Sequence, residues 1–324
     1  MILRIFKTSQ PLSWILIVVV LVFVRLVLFV FLYQPAEVDE TTNLFGLWLQ
    51  QFNAFSHWLS HIISTIIVLF TGFYFNKIIQ SLGTLKGINY LLVLFTGIFL
   101  SFYPADLVLS PMVITTPILL YSYYLILGSP KGNVQFGDVF NGAFFIGLST
   151  LIYFPSSLMM LILLIALGYL SQSSWRLFII GVIGFLTPWL FFDVLVFIFG
   201  SEQFLKINEW KTHFELPEIS TFTPIKLNLG FLTLLALHLI IYFKASSHSI
   251  IRIQKALNLN FFYLIISLLI IGFLTDTEHH FIGLLVIPVS IIFTVFHLET
   301  KKWWVSDLAF IALLGLMYLN YFGI

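Results

Sequence analysis

The chain has 324 residues, of which 60% are hydrophobic and 9% are charged, with a formal net charge of +1. Soluble domains carry about 25% charged residues, so the composition excludes an ordinary soluble protein, and the near-neutral charge gives no indication of nucleic-acid binding. The absence of cysteine excludes disulfides, thiol catalysis and thiolate metal ligands.

Apolar runs long enough to cross a bilayer recur along the whole chain, which is typical of membrane-spanning helices. They predict an all-α polytopic membrane protein, a single transmembrane domain over 1–324, with about eleven spans. The predicted spans are 12–33, 55–75, 88–103, 111–127, 139–154, 156–170, 177–199, 226–243, 259–275, 281–298 and 305–322. Around Pro104–Pro111 and Pro155 the spans are short, and proline there favours kinked or re-entrant segments.

The basic residues predict the orientation. With a cytoplasmic N-terminus, eleven of the 15 Lys and Arg residues fall inside, three fall outside, and Arg25 lies within the first span. This bias follows the positive-inside rule and supports both the number of spans and their direction. Most acidic residues fall outside, so the outer face either hosts chemistry or cation binding, or has loops that simply need charge. The longest outer loop is 201–224.

A cluster of carboxylates follows the first predicted span. Glu37, Asp39 and Glu40 lie in the short outer loop 34–54, and residues 44–52 have the spacing of a helix that lies in the membrane interface. A carboxylate at the membrane surface can act as a base, or hold a divalent cation such as Mg²⁺ or Mn²⁺. A solvated loop that merely ends the first span accounts for the same residues.

Arg25 lies about two-thirds of the way along the first predicted span, on its outer side. Ionisable residues inside membrane spans are rare and face a cavity or a partner. The side chain can reach toward the acidic cluster or toward Asp193, a carboxylate in the outer half of its own span. A structural ion pair and a contact to a lipid phosphate are the two interpretations.

Eight histidines are present, and two of them share a helix face. His57 and His61, four residues apart near the outer end of the second span, form either a ligand site or a hydrogen-bonded structural pair. No role is predicted for the histidines that are isolated in the sequence, His213, His238, His248 and His297.

A second polar cluster lies at an outer span end, in the stretch TDTEHHFIGLLVIP at 275–288. Groupings of Asp, Glu and His suit Zn, Mn or Fe, although adjacent histidines rarely bind one ion from a helix. Histidine can instead contact a phosphate, and capping of the next helix is a third interpretation. The candidate metal ligands of the two clusters are Asp39, Glu40, Asp276 and Glu278, and the candidate phosphate-binding residues are Arg25, His279 and His280.

This arrangement resembles the GT-C superfamily of polyprenyl-phosphate-dependent glycosyltransferases, such as the protein mannosyltransferases and the aminoarabinose transferase of lipid A. In that family an acidic motif follows the first span, and Asp39 and Glu40 occupy this place. HHFIGLLVIPVSIIFTVF, 279–296, resembles a later motif with Arg-Tyr before a leucine- and proline-rich span, although histidines replace the arginine. Residues 142–170 resemble the family's glycine-led middle spans, and residues 176–200 resemble the span before a long outer loop. The chain also looks like a multi-pass inner-membrane family of Bacteroidota, which implies a location in the bacterial cytoplasmic (inner) membrane.

The resemblance implies a GT-C-like bundle and a transferase that uses a membrane lipid, polyprenyl phosphate, as its sugar carrier. Asp39 or Glu40 would deprotonate an acceptor hydroxyl or hold a metal. His279, His280 and Arg25 would offset the charge on the departing phosphate.

Two other functions remain open. Short loops and an aromatic content of 18% also suit a non-catalytic membrane subunit that scaffolds or assembles a cell-envelope complex. A lipid or small-molecule transporter would need polar residues near the middle of the membrane, for which Arg25, Asp193 and His238 are the candidates.

Overall fold

The computed structural model describes residues 2–7, 10–33, 44–85, 89–127, 135–170, 175–199, 225–273 and 282–321. These ranges contain twelve α-helices and three short 3-10 helices, which confirms the predicted all-α fold. The α-helices are α1 Pro11–Leu32, α2 Leu44–Phe55, α3 His57–Ser81, α4 Leu91–Phe99, α5 Pro111–Leu127, α6 Phe136–Ile152, α7 Met160–Leu170, α8 Trp175–Phe199, α9 Ile225–Ser247, α10 Ile251–Phe273, α11 Ile282–Glu299 and α12 Trp303–Tyr321.

Five of these helices, α1, α3, α8, α9 and α12, are long and apolar enough to cross a membrane, which supports a membrane protein. A helix occupies each of the eleven predicted spans, and the remaining helix, α2, lies where the short interfacial helix was predicted. The number of eleven spans itself stays a prediction, as does the location in the inner membrane. The predicted loop 201–224 lies outside the described residues.

Local side-chain chemistry sets several helix ends. Ser56 caps α3, since its hydroxyl oxygen accepts a hydrogen bond from the backbone N–H of Leu59 at 3.3 Å. The same helix is followed by Gly83, whose φ of 66° is the left-handed conformation that terminates helices and that glycine adopts without strain. Pro111 begins α5, where its fixed φ suits the first turn and its missing N–H leaves no bond unmade.

Both proline-rich stretches interrupt the helices, as predicted. The helix before Pro104–Pro111, α4, has only nine residues, so it rises about 13 Å, well short of a hydrocarbon core of about 30 Å. Residues 100–110, here called the connection, then join α4 to α5 and include a 3-10 helix at Pro104–Leu107. Near Pro155, a second 3-10 helix at Phe154–Met159 separates α6 from α7.

The interior is built around α4 and α11. All nine residues of α4 are buried, as is every residue of α11 from 283 to 297. By contrast, the apolar side chains on much of α1, α8, α9 and α12 are exposed, as lipid-facing helices require.

Glycines allow α6 and α8 to pack backbone against backbone. A Cβ atom added to Gly147 would lie 2.3 Å from the carbonyl oxygen of Phe185, and one added to Gly184 would lie 2.5 Å from that of Phe140. Small residues at helix contacts are the usual way in which membrane helices approach closely. Helices α6 and α8 are therefore tightly packed against each other.

Candidate functional site

The two polar clusters predicted from the sequence lie outside the described residues. Asp39 and Glu40 fall in the segment 34–43, while the residues of the second cluster, Asp276, Glu278, His279 and His280, fall in 274–281. Their catalytic, metal-binding and phosphate-binding roles therefore stay predictions. The helices that follow these segments, α2 and α11, are described.

The helices that follow the two clusters contact the connection and the start of α5. In α2, which follows the first cluster, the side-chain amide of Asn53 donates a hydrogen bond of 2.9 Å to the carbonyl oxygen of Leu109. In α11, which follows the second cluster, a Cβ atom added to Gly283 would lie 2.6 Å from Sδ of Met112. The helices that follow the two clusters thus both reach the stretch 109–112, α11 at its second residue and α2 at its tenth.

Arg25 holds the earlier part of the connection, residues 100–107. Its side chain is fully buried, at 0% exposure, on α1. Its guanidinium makes six hydrogen bonds of 2.7 to 3.2 Å, three of them to hydroxyl oxygens and three to backbone carbonyl oxygens. The hydroxyls belong to Ser64, Thr65 and Ser101, and the carbonyls belong to Leu100, Asp106 and Leu107.

These partners explain why a cation lies here. Residues 100–107 leave the helical hydrogen-bonding pattern, so their carbonyl oxygens need donors from elsewhere. A guanidinium has five N–H donors in a fixed plane, and each of its three nitrogens is engaged. A positive charge is also favourable beside the C-terminus of α4, where the helix dipole is negative.

The hydrogen bonds of Arg25 bear on both roles predicted for it, the structural ion pair and the contact to a lipid phosphate. Among the described residues no ion pair joins it to Asp193, which is exposed on α8. Its bonds are all to neutral oxygen atoms of α3 and the connection. The phosphate-binding role stays a prediction, and it requires the guanidinium to give up or share bonds that it makes within the protein.

Asp106 is a buried carboxyl group that the sequence analysis did not single out. Its Oδ1 accepts a hydrogen bond of 2.6 Å from Ser110, whose hydroxyl oxygen in turn accepts the N–H of Val113 in the first turn of α5. Burial raises the pKa of Asp106 to about 7, although the hydrogen bond from Ser110 and the charge of Arg25 both act in the opposite direction. The sequence feature that could have identified Asp106 is its position between Pro104 and Pro111, where the helices are interrupted.

Further helices fix the connection. From α3, the hydroxyl of Ser60 accepts the N–H of Leu109 at 2.8 Å. From α12, Asn320 donates to the carbonyl oxygen of Phe102 at 2.8 Å and Tyr321 donates to that of Ser101 at 2.7 Å. Four helices, α1, α2, α3 and α12, therefore bond to a stretch that has little regular structure of its own.

The histidine pair of α3 lies at the same end of the bundle. His61 donates through Nδ1 to the carbonyl oxygen of Leu107 at 2.8 Å, and its ring stacks on Phe29 with centroids 4.2 Å apart. His57 lies near Tyr33, with ring centroids 5.9 Å apart, and its Nδ1 has no hydrogen-bond partner among the described residues. Hydrogen bonding to the connection, rather than to His57, accounts for His61.

The connection is a largely buried stretch held by many hydrogen bonds. Over the described ranges, no group of three or more His, Cys, Asp or Glu side chains is placed to hold a metal ion. The predicted metal ligands lie outside those ranges. What the described residues show is that α2 and α11, the helices that follow the two clusters, both contact residues 109–112.

Comparison with known proteins assigns the chain to a family. Neither a curated protein nor a solved structure matches it. The matching region, residues 40–323, contains the connection, α11 and almost every other helix described above. The chain belongs to DUF6427, a family of unknown function whose sequence model matches this region.

Proposed function

We propose that the protein is a GT-C-like glycosyltransferase of the inner membrane, which moves a sugar from a polyprenyl-phosphate donor to an envelope acceptor on the outer face. One observation carries the proposal: α2 and α11, the helices that follow the two polar clusters, both contact residues 109–112. A transferase needs a base and phosphate-binding groups on opposite sides of one reacting carbon, and this arrangement supports such a pairing.

In this proposal the reaction is a single displacement at the anomeric carbon of the sugar. Asp39 or Glu40 removes the proton from the acceptor hydroxyl, whose oxygen forms the new glycosidic bond. The bond between the sugar and the phosphate breaks, and the polyprenyl phosphate leaves with the electron pair. His279 and His280 donate hydrogen bonds to the departing phosphate. A divalent cation, Mg²⁺ or Mn²⁺, would add positive charge at that phosphate.

The membrane arrangement of the proposal follows the sequence-based topology. The eleven predicted spans, each of which contains one of the helices other than α2, cross the inner membrane as a GT-C-like bundle, with the N-terminus in the cytoplasm. The connection then lies at the outer end of α4 and α5, and α2 lies along the outer surface, where Trp48 is 58% exposed. Interfacial tryptophan is common at headgroup level.

Transfer measured with purified protein tests the proposal. The full chain in detergent is given a labelled polyprenyl-phosphate sugar and an extract of envelope acceptors. Asp39→Asn or Glu40→Gln is expected to reduce the rate about 100-fold or more, the usual contribution of a general base. Glu37→Gln, in the same loop, serves as the matched control and keeps the wild-type rate. Undiminished transfer by both Asp39→Asn and Glu40→Gln contradicts the mechanism.

A second candidate function is a non-catalytic subunit of a cell-envelope complex. It is favoured by the engagement of Arg25, because a cation whose donors bond within the protein acts as a structural element. Purification in a mild detergent distinguishes the two functions. A stoichiometric protein partner together with no transferase activity supports the subunit, whereas a single chain with bound lipid phosphate supports the transferase.

A further inference from the structure

Two histidines that are isolated in the sequence meet inside the bundle. His238 on α9 and His297 on α11 are 1% and 0% exposed, and their ring centroids lie 5.7 Å apart. Their separation along the chain gave no reason to pair them. Histidine side chains so completely buried are expected to have hydrogen-bond partners for both ring nitrogens.

Each of the two rings instead has one bonded and one unbonded nitrogen. Nδ1 of His238 lies 2.6 Å from the carbonyl oxygen of Leu234, which can only accept, so Nδ1 carries the hydrogen and Nε2 presents a lone pair. Nδ1 of His297 lies 2.8 Å from the hydroxyl of Ser306, which can accept in the same way. Both Nε2 atoms are buried with no hydrogen-bond partner among the described residues.

This pattern is the one found around metal-binding histidines. A histidine that binds a metal through one nitrogen almost always donates its other N–H to a carboxylate, a backbone carbonyl or water, which fixes the tautomer and the ring orientation. Here aromatic contacts also hold both rings, because His238 stacks on Phe293 with centroids 3.8 Å apart and His297 stacks on Phe95 at 4.9 Å. The lone pairs are thus presented by two oriented rings.

The distance between the rings suits one shared ion. A metal about 2.0–2.1 Å from Nε2 lies roughly 3.2 Å from the centre of that ring. Two rings on one ion then have centres about 5.2 Å apart at a tetrahedral angle and about 6.4 Å apart when the bonds are collinear. The observed 5.7 Å falls between these limits.

The residues around His238 and His297 favour an ion with a single positive charge. Among the described residues no third His, Cys, Asp or Glu completes a metal-binding group, so the site supplies two nitrogen ligands and no negative charge. The ammonium of Lys7 donates to the backbone carbonyl of His297 at 2.5 Å and adds positive charge nearby. Zn²⁺ requires four ligands and brings two charges, whereas Cu⁺ accepts two imidazole nitrogens and brings one.

We propose that His238 and His297 bind a single Cu⁺ ion through their Nε2 atoms and that the ion joins α9 to α11. This site does not involve the clusters of the proposed transferase, so its test is independent of that proposed function. The aromatic rings around it exclude water, which favours a soft, singly charged ion over a strongly hydrated one.

Copper binding by the full chain tests the proposal. The protein is purified in detergent without oxygen, and Cu⁺ is titrated in competition with a coloured Cu⁺ chelator. The wild-type protein is expected to take up one equivalent, and X-ray absorption is expected to show nitrogen ligands at about 2 Å. His238→Gln and His297→Gln each weaken binding at least about 10-fold, while His248→Gln, in the turn after α9, binds as the wild type does.

Several outcomes overturn the proposal. They are a wild-type protein that takes up no Cu⁺, Cu⁺ bound through methionine sulfur, and tighter binding of Zn²⁺ than of Cu⁺. Unchanged affinity in both His238→Gln and His297→Gln also contradicts it. Should these variants fail to fold, the uptake and absorption measurements on the wild-type protein decide the question without them.

Discussion

Replacing Arg25 by methionine tests whether the buried guanidinium holds the connection together. Methionine keeps an unbranched chain but removes all six hydrogen bonds. The carbonyl oxygen of Asp106 keeps a bond from Ser64, and that of Leu107 keeps one from His61. The carbonyl oxygen of Leu100 loses the donor that Arg25 supplies.

The expected loss of stability follows from these bonds. An unsatisfied buried carbonyl costs about 1–3 kcal/mol, and each charge-assisted hydrogen bond contributes about 1.5–3 kcal/mol to stability. Since the two other carbonyls and the three hydroxyls retain partial bonding, the free energy of unfolding is expected to fall by about 3–5 kcal/mol, the range seen when a buried charged network is broken.

Thermal unfolding in detergent, followed by the fluorescence of the eight tryptophans, measures the effect. For a chain of 324 residues, a loss of about 3–5 kcal/mol lowers Tm by roughly 4–7 °C. Arg176→Met, an exposed arginine at the start of α8, is the matched control and should change the stability by less than about 0.5 kcal/mol. If the Tm of Arg25→Met lies within 1 °C of the wild-type Tm, water has replaced the guanidinium as hydrogen-bond donor to the carbonyl oxygens. The structural role of Arg25 is then refuted.

Three further predictions use the same unfolding measurement. Gly147→Ala places a Cβ against the carbonyl oxygen of Phe185 and should lower the free energy of unfolding by about 1–3 kcal/mol. Gly315→Ala, with open space around it, should raise that free energy by about 0.5–1 kcal/mol. Equal effects of the two substitutions would contradict the close packing of α6 against α8. Because burial raises the pKa of Asp106 to about 7, the folded chain retains a proton that the unfolded chain releases near pH 4. The free energy of unfolding should therefore fall from about pH 4 to about pH 7, and Asp106→Asn should lose that slope. Tyr321→Phe removes the bond to the connection and should cost about 0.5–1.5 kcal/mol.

The helices were predictable because their signal is local. A continuous apolar run identifies a buried or lipid-facing helix without reference to its neighbours, so a helix appeared at each predicted span. The interruptions near Pro104 and Pro155 were predictable for the same reason, since proline removes a hydrogen-bond donor wherever it stands. The number of spans was harder to predict, because α4 is apolar yet only nine residues long.

The partners of Arg25 were not predictable in the same way. The rarity of an arginine within a span identified the residue as important. Three of its acceptors, however, are backbone carbonyl oxygens. Every residue has such an oxygen, so the sequence does not mark the ones that need a donor from a side chain. Their availability arises from a helix break about 75 residues later in the chain, and the pairing depends on how α1 packs against α3 and α4.

The histidines show the same limit. His57 and His61 drew attention because they are four residues apart on one helix, but His61 bonds to Leu107 instead. His238 and His297 lie on different helices, and only the packing of α9 against α11 brings them together. Sequence spacing finds pairs within a helix, while pairs between helices require the packing itself.

The bonding of Arg25 has a consequence for how the protein is made. During synthesis α1 emerges first, and its arginine enters the bilayer before Ser64, Thr65 and residues 100–107 have been translated. An arginine without partners in hydrocarbon costs at least about 2.5–3.5 kcal/mol, so the first helix is held back toward the headgroups or by the translocation machinery. We therefore expect the final position of α1 to depend on residues of α3 and of the connection, which are synthesised after it.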